Sequence, residues 1–218
     1  NAWLELEPKM AKKGQYTGVK KLFARYWVAY GGLKSIVGSP YMHISLFITL
    51  ISSGIWLEND WVEIPISVLP NIIGFSLGGY AIWLALGDDK FRASISGKTK
   101  AGGESPFIVV NATFVHFIVL QILALIAALI GKSEPIYNSP LFIQRFLLDL
   151  APWLYDVSLA LSIIGSFIGY FLFIYAIFSA LAATMAIFRI AGWLEVYHLK
   201  TANKGSVQGT ANKKINKD

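Results

Sequence analysis

The chain has 218 residues, 55% of them apolar and 15% charged, with a formal charge of +6 and no cysteine. The missing cysteines exclude disulfides, thiolate metal sites and cysteine nucleophiles. The charges sit in short blocks between apolar runs close to the ~20 residues a helix needs to cross a bilayer, so the basic excess points to a membrane and not to nucleic acid.

The opening stretch, "NAWLELEPKM", contains two glutamates and lacks an apolar core, so no cleavable signal peptide is expected there. Next comes "VKKLFARYWVAYGGLKSIV", in which Leu22, Phe23, Tyr26, Trp27 and Tyr30 recur at helical spacing. Lys20, Lys21, Arg25 and Lys34 carry the charge of this segment, with Lys21 and Arg25 on another face from the aromatic residues. The pattern predicts an interfacial helix whose basic residues meet anionic headgroups of the inner leaflet. The alternative is a helix docked on the cytoplasmic side of the protein itself.

Four membrane spans are predicted, over residues 40–57, 64–86, 106–130 and 153–191. Ser39-Pro40 and Ser105-Pro106 each place a capping hydroxyl before a proline suited to the first helical turn. Gly131 follows the third span, where helices often end on glycine. The fourth run is too long for the membrane alone. At 1.5 Å per residue it would extend roughly 58 Å against a bilayer core of about 30 Å. It is expected to continue as a helix into the cytoplasm rather than break near Gly165 or Gly169, and its apolar surface there needs a cover. Between the third and fourth runs, "SPLFIQRFLLDLAP" is too short to span and is expected to lie along the outer interface. The polar end, "KTANKGSVQGTANKKINKD", would be disordered by itself.

Lysine and arginine set the orientation. Seven precede the first span, four lie between the second and third, and six lie at the C-terminal end, against Lys132 and Arg145 alone on the other side. Both termini and the middle loop are therefore expected in the cytoplasm, with the chain in the cytoplasmic (inner) membrane. The expected fold is an all-α integral membrane protein. A cytoplasmic segment over 1–39 with an amphipathic helix leads into a four-helix transmembrane bundle over 40–191, and a basic cytoplasmic tail follows over 192–218.

Small residues form two seams. On the second span Ser67, Gly74, Gly78, Ala81 and Ala85 fall in one sector at about 100° per residue. On the fourth, Ser158, Ser162, Gly165, Gly169 and Ala176 do the same. Such seams suit close helix packing, and their presence in so small a bundle predicts a symmetric homo-oligomer. Gly79 lies off the first seam, so it should face a second close neighbour or an open path.

Polar residues within the spans supply the candidates for a conducting path. Ser45, Thr49 and Ser52 share a face of the first span; their hydroxyls either line water or bond back to their own helix. The third span carries Asn111, Thr113, His116 and Gln121, which do not share one stripe and need partners in hydrocarbon. His116 is the intramembrane group that would change charge near neutral pH. Glu58, Asp60 and Glu63 cluster in an outer loop and would form a cation-concentrating ring in an oligomer.

Enzymatic chemistry is not expected. There is no HExxH, GxSxG or Walker lysine loop, and "SGKTKAGGES" lacks phosphate-loop spacing and follows an apolar helix. No cofactor or metal site is expected. The sequence thus supports two functional classes: an oligomeric channel or pore-forming effector, or a non-conducting scaffold or sensor subunit. The second would recruit a cytoplasmic or membrane partner through its long fourth helix.

Overall fold

The structure is a computed structural model that describes residues 14–85, 87, 89–97, 104–133, 145, 149 and 153–215. The predicted outer interfacial stretch, residues 139–152, lies outside the described residues apart from 145 and 149. Among the described residues the chain is all helix. In order it forms α1 (Gln15–Tyr30), α2 (Gly32–Val37), α3 (Pro40–Ile51), α4 (Ser53–Trp56), a 3-10 turn (Asn59–Val62), α5 (Glu63–Ala85), α6 (Asp89–Ile95), α7 (Pro106–Ser133) and α8 (Leu154–Ile215).

Three of these helices are long and apolar enough to cross a membrane: Glu63–Ala85, Pro106–Ser133 and the Val157–Ala202 stretch of α8. They make this a membrane protein. The first predicted span takes a different form. Pro40–Ile51 is only 12 residues long, and the chain turns at Ser52 before the short α4. Twelve residues rise about 18 Å, well short of a bilayer core of about 30 Å. The sequence reading counted the run 40–57 as one helix because its hydropathy does not register the turn at Ser52.

Both predicted helix starts are present, but only one of the two expected hydroxyl caps is: Ser39 makes no side-chain cap to α3. Pro40 opens α3, and the Ile108 N–H donates to Ser105 Oγ at 3.3 Å to cap α7. The run 19–37 is not one helix. Gly31 ends α1 with φ of 96°, a left-handed conformation that glycine adopts without a Cβ clash, and α2 starts from it. Nor does α7 stop at Gly131; it continues to Ser133, and Gly131 serves as a packing position.

α7 is the central element. The Glu63–Lys132 ion pair, 2.9 Å, joins the start of α5 to the end of α7, while Trp83 near the end of α5 donates Nε1–H to Asn111 near the start of α7, 2.9 Å. α5 and α7 are therefore antiparallel. α8 is antiparallel to α7 as well. Ala124 and Ala128 pack with Tyr170, Phe173 and Ala176 at one end, and Val110 and Phe114 pack with Ala183 and Ile190 at the other. α3 and α4 run alongside α8, from Tyr41 near Met185 to Trp56, whose ring meets Phe167 at 5.4 Å. The end of the bundle that holds Ile190 and the Phe91–Tyr197 contact also carries Lys90, Arg92 and Lys200, in keeping with one basic side.

The helix α8 runs unbroken for 62 residues, about 93 Å at 1.5 Å per residue. Gly165 and Gly169 do not interrupt it. The stretch 200–215, expected to be disordered by itself, continues the helix. The physical reason is cooperativity: extending an existing helix avoids the unfavourable nucleation step. Toward its start α8 exposes Leu159, Leu161, Ile163, Ile164 and Ile168.

A candidate cavity beneath the N-terminal helix

The predicted site residues divide into those consumed inside the chain and those left outside it. Ser45 and Thr49 are fully buried, and their hydroxyls donate to Tyr41 O (2.6 Å) and Ser45 O (2.8 Å) of their own helix. Of the two alternatives read from the sequence, back-bonding is the one this geometry adopts. Ser52 is the half-buried turn that ends α3.

The polar residues on α7 spread widely because their partners lie in different directions: two bond to α5, one to α1 and one to α7 itself. Asn111 accepts from Trp83 of α5. Gln121, with no exposed surface, donates Nε2–H to Ser76 Oγ of α5 at 2.9 Å. Thr113 donates to Val109 O of its own helix, 2.8 Å. His116 meets Tyr26 of α1, with Nδ1 and the phenol oxygen 2.7 Å apart. Two buried atoms in this set have no partner: Gln121 Oε1 and His116 Nε2.

The small-residue seam of α5 does not meet α8. A Cβ at Gly74 or Gly78 would find nothing within 4 Å, and Ala81 and Ala85 are exposed. Gly79 is the one turned inward: a Cβ there would stand 3.8 Å from Ile187 Cδ1 of α8. On α8, Ser162 and Gly165 are likewise outside, with nothing within 4 Å of Gly165. Gly169 is buried, but against the Trp61 ring and not against α5. In the acidic loop Glu63 is paired with Lys132, Glu58 is exposed and the side chain of Asp60 lies outside the described residues. Lys20, Lys21 and Arg25 are exposed on α1.

α1 docks on the bundle by one edge only. Tyr26, Ala29 and Tyr30, at i, i+3 and i+4, form a docked edge, while Leu22, Phe23 and Trp27 remain exposed. The docked edge closes on His116, which is 3% exposed. The Tyr30 ring stacks on the imidazole at 3.8 Å between centroids and 19° between planes, and its phenol interacts with that of Tyr175 on α8. Burial, and then the nearby Tyr175, hold the Tyr26 hydroxyl above its ordinary pKa of 10.0; the same causes push Tyr30 higher still. Both phenols stay neutral at physiological pH.

Beside this cluster lies a cavity of about 380 Å³. Its polar lining includes Tyr30, Tyr41, His116, Tyr175 and Arg189; Phe117, Met185 and Ala186 contribute apolar wall. Ser179 also lines it, but its hydroxyl hydrogen is committed to Ala176 O at 2.7 Å. Arg189 is exposed at the basic end of the bundle, with its guanidinium 5.5 Å from the Trp193 ring. Among the described residues no group of three metal-ligating side chains occurs.

Sequence reasoning did not single out Trp61, Ser76, Tyr175 or Arg189. The i, i+4 spacing of Tyr26 and Tyr30 was the available signal for the docked edge. Nothing local marks Tyr175, whose role depends on which helix passes beside it. No known protein family, curated protein or solved structure matches the chain.

Proposed function

We propose that the protein is a non-conducting membrane subunit that assembles with further copies of itself through the outward small-residue face of α5. The observation carrying this reading is the open space around Gly74 and Gly78. A GxxxG face without a neighbour in its own chain suits the close approach of another helix in lipid, where packing and not hydrophobicity drives association. The fate of the polar residues also supports it. Ser45, Thr49 and Asn111 make hydrogen bonds inside the chain, and Gln121 bonds to Ser76 with no exposed surface, which leaves them unsuited to an aqueous path.

In this reading the chain lies in the cytoplasmic membrane with the basic end and both termini in the cytoplasm. α3 and α4 together act as a fourth, broken crossing beside α8, completing a four-helix bundle, and α8 extends inward to offer a surface to a cytoplasmic protein. α1 rests on the inner leaflet through Leu22, Phe23 and Trp27 while its other edge holds His116. The competing channel reading draws on the polar cavity at the basic end. Reconstitution decides between them: purified protein at high density in liposomes should leave ion and dye gradients intact, and Gly78→Leu should convert the assembled species to monomer in blue-native gels. A leak that scales with protein density would favour the channel. Assembly undisturbed by Gly78→Leu would remove the α5 interface.

A further inference from the structure

We infer that the cavity beside α1 seats the phosphate group of an anionic phospholipid from the leaflet at the basic end, with Arg189 as its charge partner and His116 Nε2 as a buried hydrogen-bonding partner. The inference rests on the membrane placement of the bundle and not on self-assembly, and a monomer suffices to test it.

Three features carry it. The first is the unpartnered nitrogen. His116 is 3% exposed, Tyr26 occupies Nδ1, and Nε2 has no partner. His116 lines the cavity and Tyr26 does not, while Nε2 itself has almost no accessible surface, so an occupant reaches it only when the groups beside it give way. Buried ring nitrogens are normally satisfied, and a ligand or water in the cavity is what can satisfy this one.

The second is charge. Arg189 lines the same cavity, and among the described residues no carboxylate pairs with it. A planar fork of donors beside phenol hydroxyls suits an anion with several oxygens and disfavours a cation. Ser179 and Thr113 do not alter that balance, because their hydroxyl hydrogens go to helix carbonyls.

The third is shape and place. A volume of about 380 Å³ falls in the range of roughly 300–1,000 Å³ common for small-molecule sites, and the wall from Phe117, Met185 and Ala186 suits glycerol and acyl carbons better than a free ion. Basic pockets between membrane helices at the cytoplasmic face are a recognised setting for phospholipid headgroups. Tyr30 and Tyr41 belong to the N-terminal part of the chain, so an occupant would also tie α1 and α3 to the α7–α8 pair.

The test uses the full chain, reconstituted with phosphatidylcholine alone, with phosphatidylcholine plus phosphatidylglycerol, or with phosphatidylcholine and added inorganic phosphate, then delipidated and weighed by native mass spectrometry. Phosphatidylglycerol should be retained in preference to phosphatidylcholine, one per chain. Arg189→Gln should lower that retention by about 10- to 100-fold, the usual weight of a charge-assisted hydrogen bond. Arg25→Gln, on the exposed face of α1, should leave it unchanged. His116→Phe should lower it too; if that variant does not fold, Tyr41→Phe replaces it, and a weaker loss of retention is expected. Equal retention of the two lipids, or wild-type retention in Arg189→Gln, overturns the inference. Displacement of the lipid by inorganic phosphate overturns the lipid as the source while keeping the site's phosphate chemistry.

Discussion

Gly169→Ala adds one methyl group where α8 receives the Trp61 ring. A Cβ there would stand 2.9 Å from Trp61 Cζ2 and closer still to Cη2. The ring has little room to withdraw. It is 3% exposed, it meets Tyr170 edge-on at 6.0 Å, and a Cβ at Gly131 of α7 would stand 2.9 Å from its neighbour Val62, so that side is close-packed as well. Overpacking of this kind costs typically about 1–3 kcal/mol. For a chain of this length each 1 kcal/mol moves the melting midpoint by about 2–4 °C, so a fall of about 2–12 °C is expected. Gly165→Ala, one turn earlier on α8, meets nothing within 4 Å and should leave the midpoint unchanged or raise it, since alanine favours helix over glycine by up to about 1 kcal/mol. Thermal unfolding in mild detergent, followed by circular dichroism, reads both. The penalty should also shrink in a Trp61→Leu background, because the two sites share one contact. A Gly169→Ala protein that melts with the wild type, or a penalty that persists without the Trp61 ring, refutes the wedge.

Ser76→Ala should cost about 0.6 kcal/mol, the average for hydrogen bonds between membrane helices, and at most about 1.7, because it strands the Gln121 amide; adding Gln121→Leu should recover much of the loss in the same melting assay. Glu63→Gln should change stability by no more than about 1 kcal/mol, since both partners of its ion pair are more than half exposed and water screens them; denaturant titration in detergent checks this. The docking of α1 has a defined pH window. Tyr26 and Tyr30 have raised pKa values in the docked state, so their contribution is fully present below the ordinary value of 10.0 and is lost as pH rises through the higher docked values. Limited proteolysis of α1 should therefore be constant from neutral pH to about 10 and increase above it, in step with tyrosinate absorbance.

Much of the helical framework was legible because it depends on local pattern. Hydropathy placed the runs around α5, α7 and α8, and the two Ser-Pro pairs marked helix starts to the residue. The break at Ser52 was not legible, since "LISSGIW" reads as an unbroken apolar run with two hydroxyls. The seams illustrate the same limit. Periodicity correctly set Gly74 and Gly78 on one face and Gly79 on another. It could not say which face meets α8: Gly79 turns toward Ile187, one of the two placements open to it, and the GxxxG face has no neighbour within the described residues. The candidate site was legible residue by residue and not as a site. His116 stood out as the imidazole of an apolar helix, and Tyr26 and Tyr30 were visible only as two of five apolar residues at helical spacing on α1. Joining them to Tyr175 and Arg189 requires the relative placement of α1, α7 and α8, which no local pattern encodes.

The absence of native cysteine makes the open face of α5 directly testable, because any introduced thiol is unique. Gly78→Cys and Gly79→Cys, expressed separately and oxidised in intact membranes, sample adjacent residues about 100° apart on the same helix, one beside open space and one beside Ile187 of α8. The account predicts a disulfide-linked dimer from Gly78→Cys and monomer from Gly79→Cys. Cross-linking at Gly79 that equals or exceeds that at Gly78, or none at either, would contradict it.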